Sequence, residues 1–196
     1  MNHKTYLTDI KALRDRARRH MREGAVTSDY KADRGAVIKL LNEALATEIV
    51  CVLRYKRHQF MAKGIHARSV ALEFAEHAAE EQAHADLIGQ RIVQLGGEPD
   101  YSPASLVLRS HTEYEEGGDL IEMIEEDLVA ERIAIQSYGE MIRYVGDGDP
   151  TTRRVLETIL AQEEEHAEDL SSLLQGLGRK LSEAPVTKSH AAKPHA

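Results

Sequence analysis

A chain of 196 residues with 42% hydrophobic residues, no Trp, two Phe and long Glu-, Ala-, Leu- and Arg-rich stretches has material for one sizeable core and reads as all-α. Its single cysteine, Cys51, excludes an internal disulfide and a cysteine-built zinc site. The N-terminus is charged throughout, without the apolar core of a secretory signal, and no apolar run approaches the ~18 residues of a membrane span; the expectation is a soluble, cytoplasmic protein.

The formal net charge of −8 is unevenly placed. Residues 1–24 hold seven Lys/Arg against three Asp/Glu and residues 179–196 hold four against one, nets of +4 and +3 that leave −15 for residues 25–178. An acidic body attracts cations, while basic ends suit an anionic partner such as DNA or are simply solvated.

In chain order, a basic amphipathic segment over about 3–22 ends at Gly24, making residues 1–30 a helical extension. Helical patterns then run over about 33–63, stopping at Gly64, and 67–95, stopping at Gly96-Gly97. A third begins after Gly117-Gly118 and ends at "GDGDP" (146–150), where Asp149 takes an N-cap position and Pro150 the first helical position. A fourth ends near Gly176 and Gly178, and residues 179–196 are expected to form a disordered tail. The links at Gly64 and 146–150 are short, so each joins antiparallel neighbours. The link from Gly96 to Gly118 is long enough to cross a bundle, with a short helix within 103–114. Over residues 31–178 this is the ferritin-like four-helix bundle, two hairpins joined by one long crossover.

Each of the four long helices carries a misfit on its apolar stripe. Leu41, Leu45, Glu48, Val52 and Tyr55 share one face; so do Phe74, His77, Glu81, His84 and Ile88. Ile124, Leu128, Glu131, Ile135 and Tyr138 form the third stripe, and Leu156, Ile159, Glu163, His166, Leu170 and Leu173 the fourth. Glu48 to Glu81 spans 33 residues and Glu131 to Glu163 spans 32; Tyr55 and Tyr138 each follow their glutamate by seven. The hairpins therefore repeat one another. An E-x-x-H pair is a weak signal alone, but two of them in corresponding helices, each preceded by an inward glutamate, are a strong one. Four buried carboxylates repel and each is costly unpaired, so arginine or lysine partners, protonation or bound cations must compensate. The stripes offer no basic partner except histidine. Two divalent ions cancel four carboxylates, and a Glu from each of two helices plus Glu-x-x-His from the other two is a known dinuclear ligand set.

"LNEALATEIV", "EEQAHADL", "EDLVAERIAI" and "QEEEHAEDL" resemble the ferroxidase-centre motifs of bacterioferritin-type members of the ferritin family, over about residues 33–175. That resemblance implies that Glu81 and Glu163 bridge two irons, with Glu48 and His84 completing one and Glu131 and His166 the other. Tyr55 stands where such proteins keep a tyrosine beside the centre, as a one-electron donor or as an aromatic filler of the stripe. Bacterioferritins bind haem through a methionine directly after the first motif glutamate; here that residue is Gln82, which argues against haem. The extension, the room for a short crossover helix and the lack of a fifth helical stripe resemble Dps-like proteins, pointing to a haem-free relative with a bacterioferritin-type centre and a shell of twelve subunits rather than twenty-four.

The function so implied is iron storage and detoxification: two Fe(II) ions per subunit are oxidised by O2 or H2O2 and the ferric product is held in a protein shell. Glu76 and Glu80 either nucleate mineral or are merely solvated, and His77 is expected to pack or hydrogen-bond rather than bind metal. The alternatives are a dinuclear peroxidase or catalase-like protein that stores nothing, and a DNA-protecting Dps-like protein using the basic ends.

Overall fold

Capping decides where the helices begin. Asp33, Asp119 and Asp149 each turn a carboxylate onto backbone N–H groups of the following first turn, and Pro150 takes the first helical position where it has no N–H to waste. The computed structural model describes residues 9–64 and 67–177; the expected tail at 179–196 and the first eight residues of the extension lie outside them. Among the described residues there are six helices and no strand: α1 (Ile10–Arg19), α2 (Arg34–Met61), α3 (Ala67–Gln94), α4 (Leu106–Arg109), α5 (Leu120–Val145) and α6 (Pro150–Gly176).

Helices α2 and α3 form one hairpin and α5 and α6 the other. The turn after α3 needs glycine twice. Gly96 has φ of +78°, and a Cβ on Gly97 would sit 2.8 Å from Cγ2 of Ile38. The crossover then runs along α2. Asn42 holds its start, donating to the Glu98 carbonyl and accepting from the Asp100 N–H, while Arg57 holds its end at the Glu116 carbonyl. Of the expected short helix at 103–114 only the single turn α4 forms, seating Leu106 on Ala46 and Val50.

The core is divided. One apolar cluster gathers Leu41, Leu45, Ile88, Ile92, Tyr138, Leu156 and Ile159; the other gathers Tyr55, Phe74, Ile124, Leu128, Leu170 and Leu174. Glu48, Glu81, Glu131 and Glu163 lie between them, one on each of the four long helices. Val52, Ile135 and Leu173, read as inward, are only half-buried, and Cys51, Ala134 and Leu174 beside them take the buried places.

Two ion pairs clamp the ends. Arg91 donates to both oxygens of Asp149 at 2.8 and 2.9 Å, and Tyr30 donates to the same carboxylate at 2.8 Å, tying the segment before α2 to the α5–α6 turn. At the other end buried Arg54 donates to Asp127 at 2.8 Å and to the Glu113 carbonyl, and His58 also contacts Asp127 at 2.7 Å. The buried arginine thus neutralises an aspartate one turn from Glu131 and leaves the four stripe glutamates alone. Val26 and Tyr30 dock on the bundle, whereas α1 buries none of its residues. Among the described residues no helix is long and apolar enough to cross a membrane.

Candidate metal centre

Mid-helix placement brings the four glutamates and two histidines to one level of the bundle. Ligand atoms of Glu48, Glu81, His84 and Glu163 all lie within 4.8 Å of one another, and so do those of Glu81, Glu131, Glu163 and His166. The two groups share Glu81 and Glu163, the pair assigned as bridges. Every member is buried. His84 Nδ1 lies 3.2, 3.5 and 3.1 Å from Glu48, Glu81 and Glu163, and His166 Nδ1 lies 3.6, 3.9 and 3.4 Å from Glu81, Glu131 and Glu163.

The surroundings repeat with the same pseudo-twofold symmetry. Tyr55 donates to Glu131, and Tyr138 donates to Glu48, so each terminal carboxylate is held by a tyrosine from the opposite hairpin. His84 Nε2 meets Gln162 Oε1 at 2.9 Å, and His166 Nε2 meets Glu80 Oε2 at 2.8 Å. An acceptor at Nε2 keeps a proton there and turns Nδ1 inward, the usual arrangement for an imidazole that binds metal once Nδ1 gives up its own proton. Tyr138, Gln162 and Glu80 were not recognised in these roles from sequence. The signal exists: Glu80 and Gln162 each immediately precede a motif glutamate and serve the histidine of the other helix. Glu80 is therefore engaged with His166, while Glu76 is exposed. His77 hydrogen-bonds Tyr55 at 3.2 Å and stacks on His166 with ring centroids 4.1 Å apart.

Electrostatics expose what the cluster lacks. Among the described residues, the buried side-chain atoms without a hydrogen-bond partner are Glu81 Oε1, Glu131 Oε2, both oxygens of Glu163 and Nδ1 of His166. All belong to this cluster, where an orphaned polar atom is costly and calls for a missing partner. Burial, then the charge of Glu81, pushes Glu48 up to about 8. Burial, then Glu81 and Glu163, raises Glu131 well above the carboxylate range. Burial opposes charge on His166, but Glu163 and Glu81 outweigh it and bring that imidazole up to about 10; His84 is raised against the same burial penalty by Glu163, Glu48 and Glu81. Burial and the charge of His166 depress His77 to about 3. Four carboxylates and two imidazole Nδ1 atoms, five of their atoms orphaned, fit a pair of divalent ions of the iron, manganese or zinc kind.

A profile of the ferritin-like domain matches residues 38–180. The nutrient stress-induced DNA-binding protein of Synechococcus sp. is 32% identical over 145 residues, 72% of this chain and 82% of that protein. A bacterioferritin of Desulfovibrio desulfuricans is 27% identical over 173 residues, 83% of this chain and 92% of its own. Among solved structures, a dodecameric thioferritin, the bacterioferritin-related protein from Bacteroides fragilis, is 33% identical with a TM-score of 0.73, covering 76% of this chain and 89% of that one. Bundle, crossover and buried carboxylate–histidine cluster agree with these likenesses: the chain belongs to the ferritin family, with bacterioferritins and Dps-like proteins among its relatives.

Proposed function

We propose that the protein is a ferroxidase that takes Fe(II) as substrate, oxidises it in pairs with O2 or H2O2, and keeps the ferric product within a shell of its own subunits. The observation that carries this reading is the pair of four-residue ligand groups sharing Glu81 and Glu163. Glu81 and Glu163 bridge, Glu48 and His84 serve one position, and Glu131 and His166 the other. Two Fe(II) ions held side by side supply two electrons to the oxidant at one place. The chain's own residues bind and orient. Tyr55 and Tyr138 hold the terminal carboxylates, Gln162 and Glu80 fix the imidazole tautomers, and the two apolar clusters on either side exclude water. Tyr55, bonded to Glu131 and His77 together, is placed to pass a single electron or proton to the pair. Haem has no place in this scheme: Gln82 is exposed and donates to Asp86 at 3.0 Å, and an amide is not among the usual haem ligands.

Twelve subunits of 21.9 kDa are expected per shell, about 263 kDa, the closed symmetric assembly that buries outer faces against neighbours. Light scattering after size exclusion, followed by electron microscopy of iron-loaded protein, tests both halves of the proposal. A mass near 526 kDa contradicts the twelve-subunit shell, and oxidation without mineral cores favours a dinuclear peroxidase or catalase.

A second reading, DNA protection, is supported by α1. Lys11, Arg14, Arg16, Arg18 and Arg19 stand on a helix with no buried residue, and the Synechococcus relative is named for DNA binding. If it holds, a DNA mobility shift weakens steeply with salt and disappears when Arg14, Arg16, Arg18 and Arg19 are neutralised. Retardation unaffected by those changes removes α1 from DNA binding.

A further inference from the structure

We propose that Glu73, His77 and Asp169 form a third divalent-cation site, on the α3–α6 face beside the dinuclear centre and separate from it. Glu73 and His77 are one turn apart on α3, and Asp169 reaches across from α6. His77 Nε2 lies 3.6 Å from Glu73 Oε1 and 3.9 Å from Asp169 Oδ2, too far for hydrogen bonds, and the three ligand atoms lie within 4.8 Å of one another. The histidine is 1% exposed, whereas both carboxylates line an open groove of about 380 Å³.

The hydrogen-bond network makes this an acceptor-only constellation. With the dinuclear centre loaded and Glu131 ionised, the Tyr55 hydroxyl donates its one proton to Glu131. Towards His77 Nδ1, 3.2 Å away, its oxygen can only accept, so Nδ1 carries the imidazole N–H. Nε2 of that neutral ring is then a lone pair aimed at two carboxylate oxygens. Among the described residues no lysine or arginine pairs with Glu73 or Asp169. Three buried or half-buried acceptors facing one another repel unless a cation stands between them. Donors about 2.1 Å from one ion sit roughly 3–3.5 Å apart, so side-chain shifts of up to about an ångström close the site. One imidazole with two carboxylates suits Fe(II), Co(II), Mn(II) or Zn(II) better than Ca(II) or Mg(II). Its ligands are all different from those of the dinuclear centre, so the site stands whether or not the ferroxidase reading does. Its groove opens to solvent and Tyr55 links His77 to Glu131, so a cation held here waits one residue from the pair.

The test is an anaerobic Co(II) titration of metal-free protein, with anomalous diffraction at the cobalt edge from soaked crystals. Three Co(II) per subunit are expected in the wild type, one of them giving a peak bounded by Glu73, His77 Nε2 and Asp169. In the Glu73→Gln/Asp169→Asn double variant the binding falls to two and that peak alone vanishes. Both substituted residues are partly exposed, and circular dichroism with the assembly mass checks that the variant folds. A wild-type crystal without the His77 peak, or a folded double variant that keeps it, overturns the proposal. A peak at His77 with none between Glu81 and Glu163 instead counts against the dinuclear centre alone.

Discussion

Replacing Glu163 with leucine is expected to slow Fe(II) oxidation by at least ~100-fold and to destabilise the metal-free protein. Outer-shell changes around a metal already cost about 10–100-fold, and Glu163 is in both ligand groups, so its loss removes a donor from each ion at once. The stability cost follows from the same geometry. Glu163 faces Nδ1 of His84 at 3.1 Å and Nδ1 of His166 at 3.4 Å, and it is a leading cause of both imidazoles being held above their ordinary range. Leucine continues the apolar stripe between Ile159 and Leu170 but offsets neither cation. Removing one partner of a buried ion pair costs about 3–5 kcal/mol in comparable cases. Stopped-flow oxidation and thermal melts of metal-free protein measure the two effects. Oxidation within tenfold of the wild type removes Glu163 as a bridge. A metal-free variant that melts at or above the wild-type temperature means that Glu163 does not hold the two imidazoles protonated.

Loading two divalent ions at pH 7 should release close to four protons per subunit. The four proposed terminal ligands, Glu48, Glu131, His84 and His166, are all held above their ordinary titration range and so keep their protons in the metal-free protein. Two ions of charge +2 replace four protons and leave the cluster's charge unchanged. The pH dependence has a definite sign. A group with a raised folded pKa binds its proton more tightly folded than unfolded. Its stabilising contribution is complete below the unfolded value and is lost as pH rises through the folded one. For Glu48 that window runs from 4.5 to about 8, and for His166 from 6.5 to about 10. The metal-free protein therefore loses stability progressively between about pH 4.5 and 10, the range in which metal affinity climbs. Calorimetric titration with Zn(II) over the first two equivalents, in buffers of different ionisation enthalpy, counts the protons. Release of one or none shows that these ligands are already ionised and balanced in another way.

Much of the centre is legible in the chain because helical periodicity is a local property. Glu48, Glu81, His84, Glu131, Glu163 and His166 interrupt apolar stripes whose phase each helix sets for itself, and Gly64, Gly96-Gly97 and Asp149-Pro150 mark where the helices stop and start. The equal spacing of the two hairpins then puts all six residues at one level. Periodicity does not determine how each helix is rotated about its axis against its neighbours. One residue is 100° of rotation, so Val52 and Ile135 end half-buried while Cys51 and Ala134 go inside. Partners across helices depend on that rotation too. Tyr138 meeting Glu48, Gln162 meeting His84 and Glu80 meeting His166 are contacts between residues 78 to 90 positions apart. The buried Arg54–Asp127–His58 group needs the crossover laid along α2 before its carbonyls at Glu113 and Glu116 can complete it. Sequence alone determined that each long helix has an apolar face interrupted by the same glutamates and histidines, since that takes only the 3.6-residue repeat; packing decided which neighbours on that face go fully inside and which side chains meet, since only packing sets the depth, tilt and rotation of one helix against another.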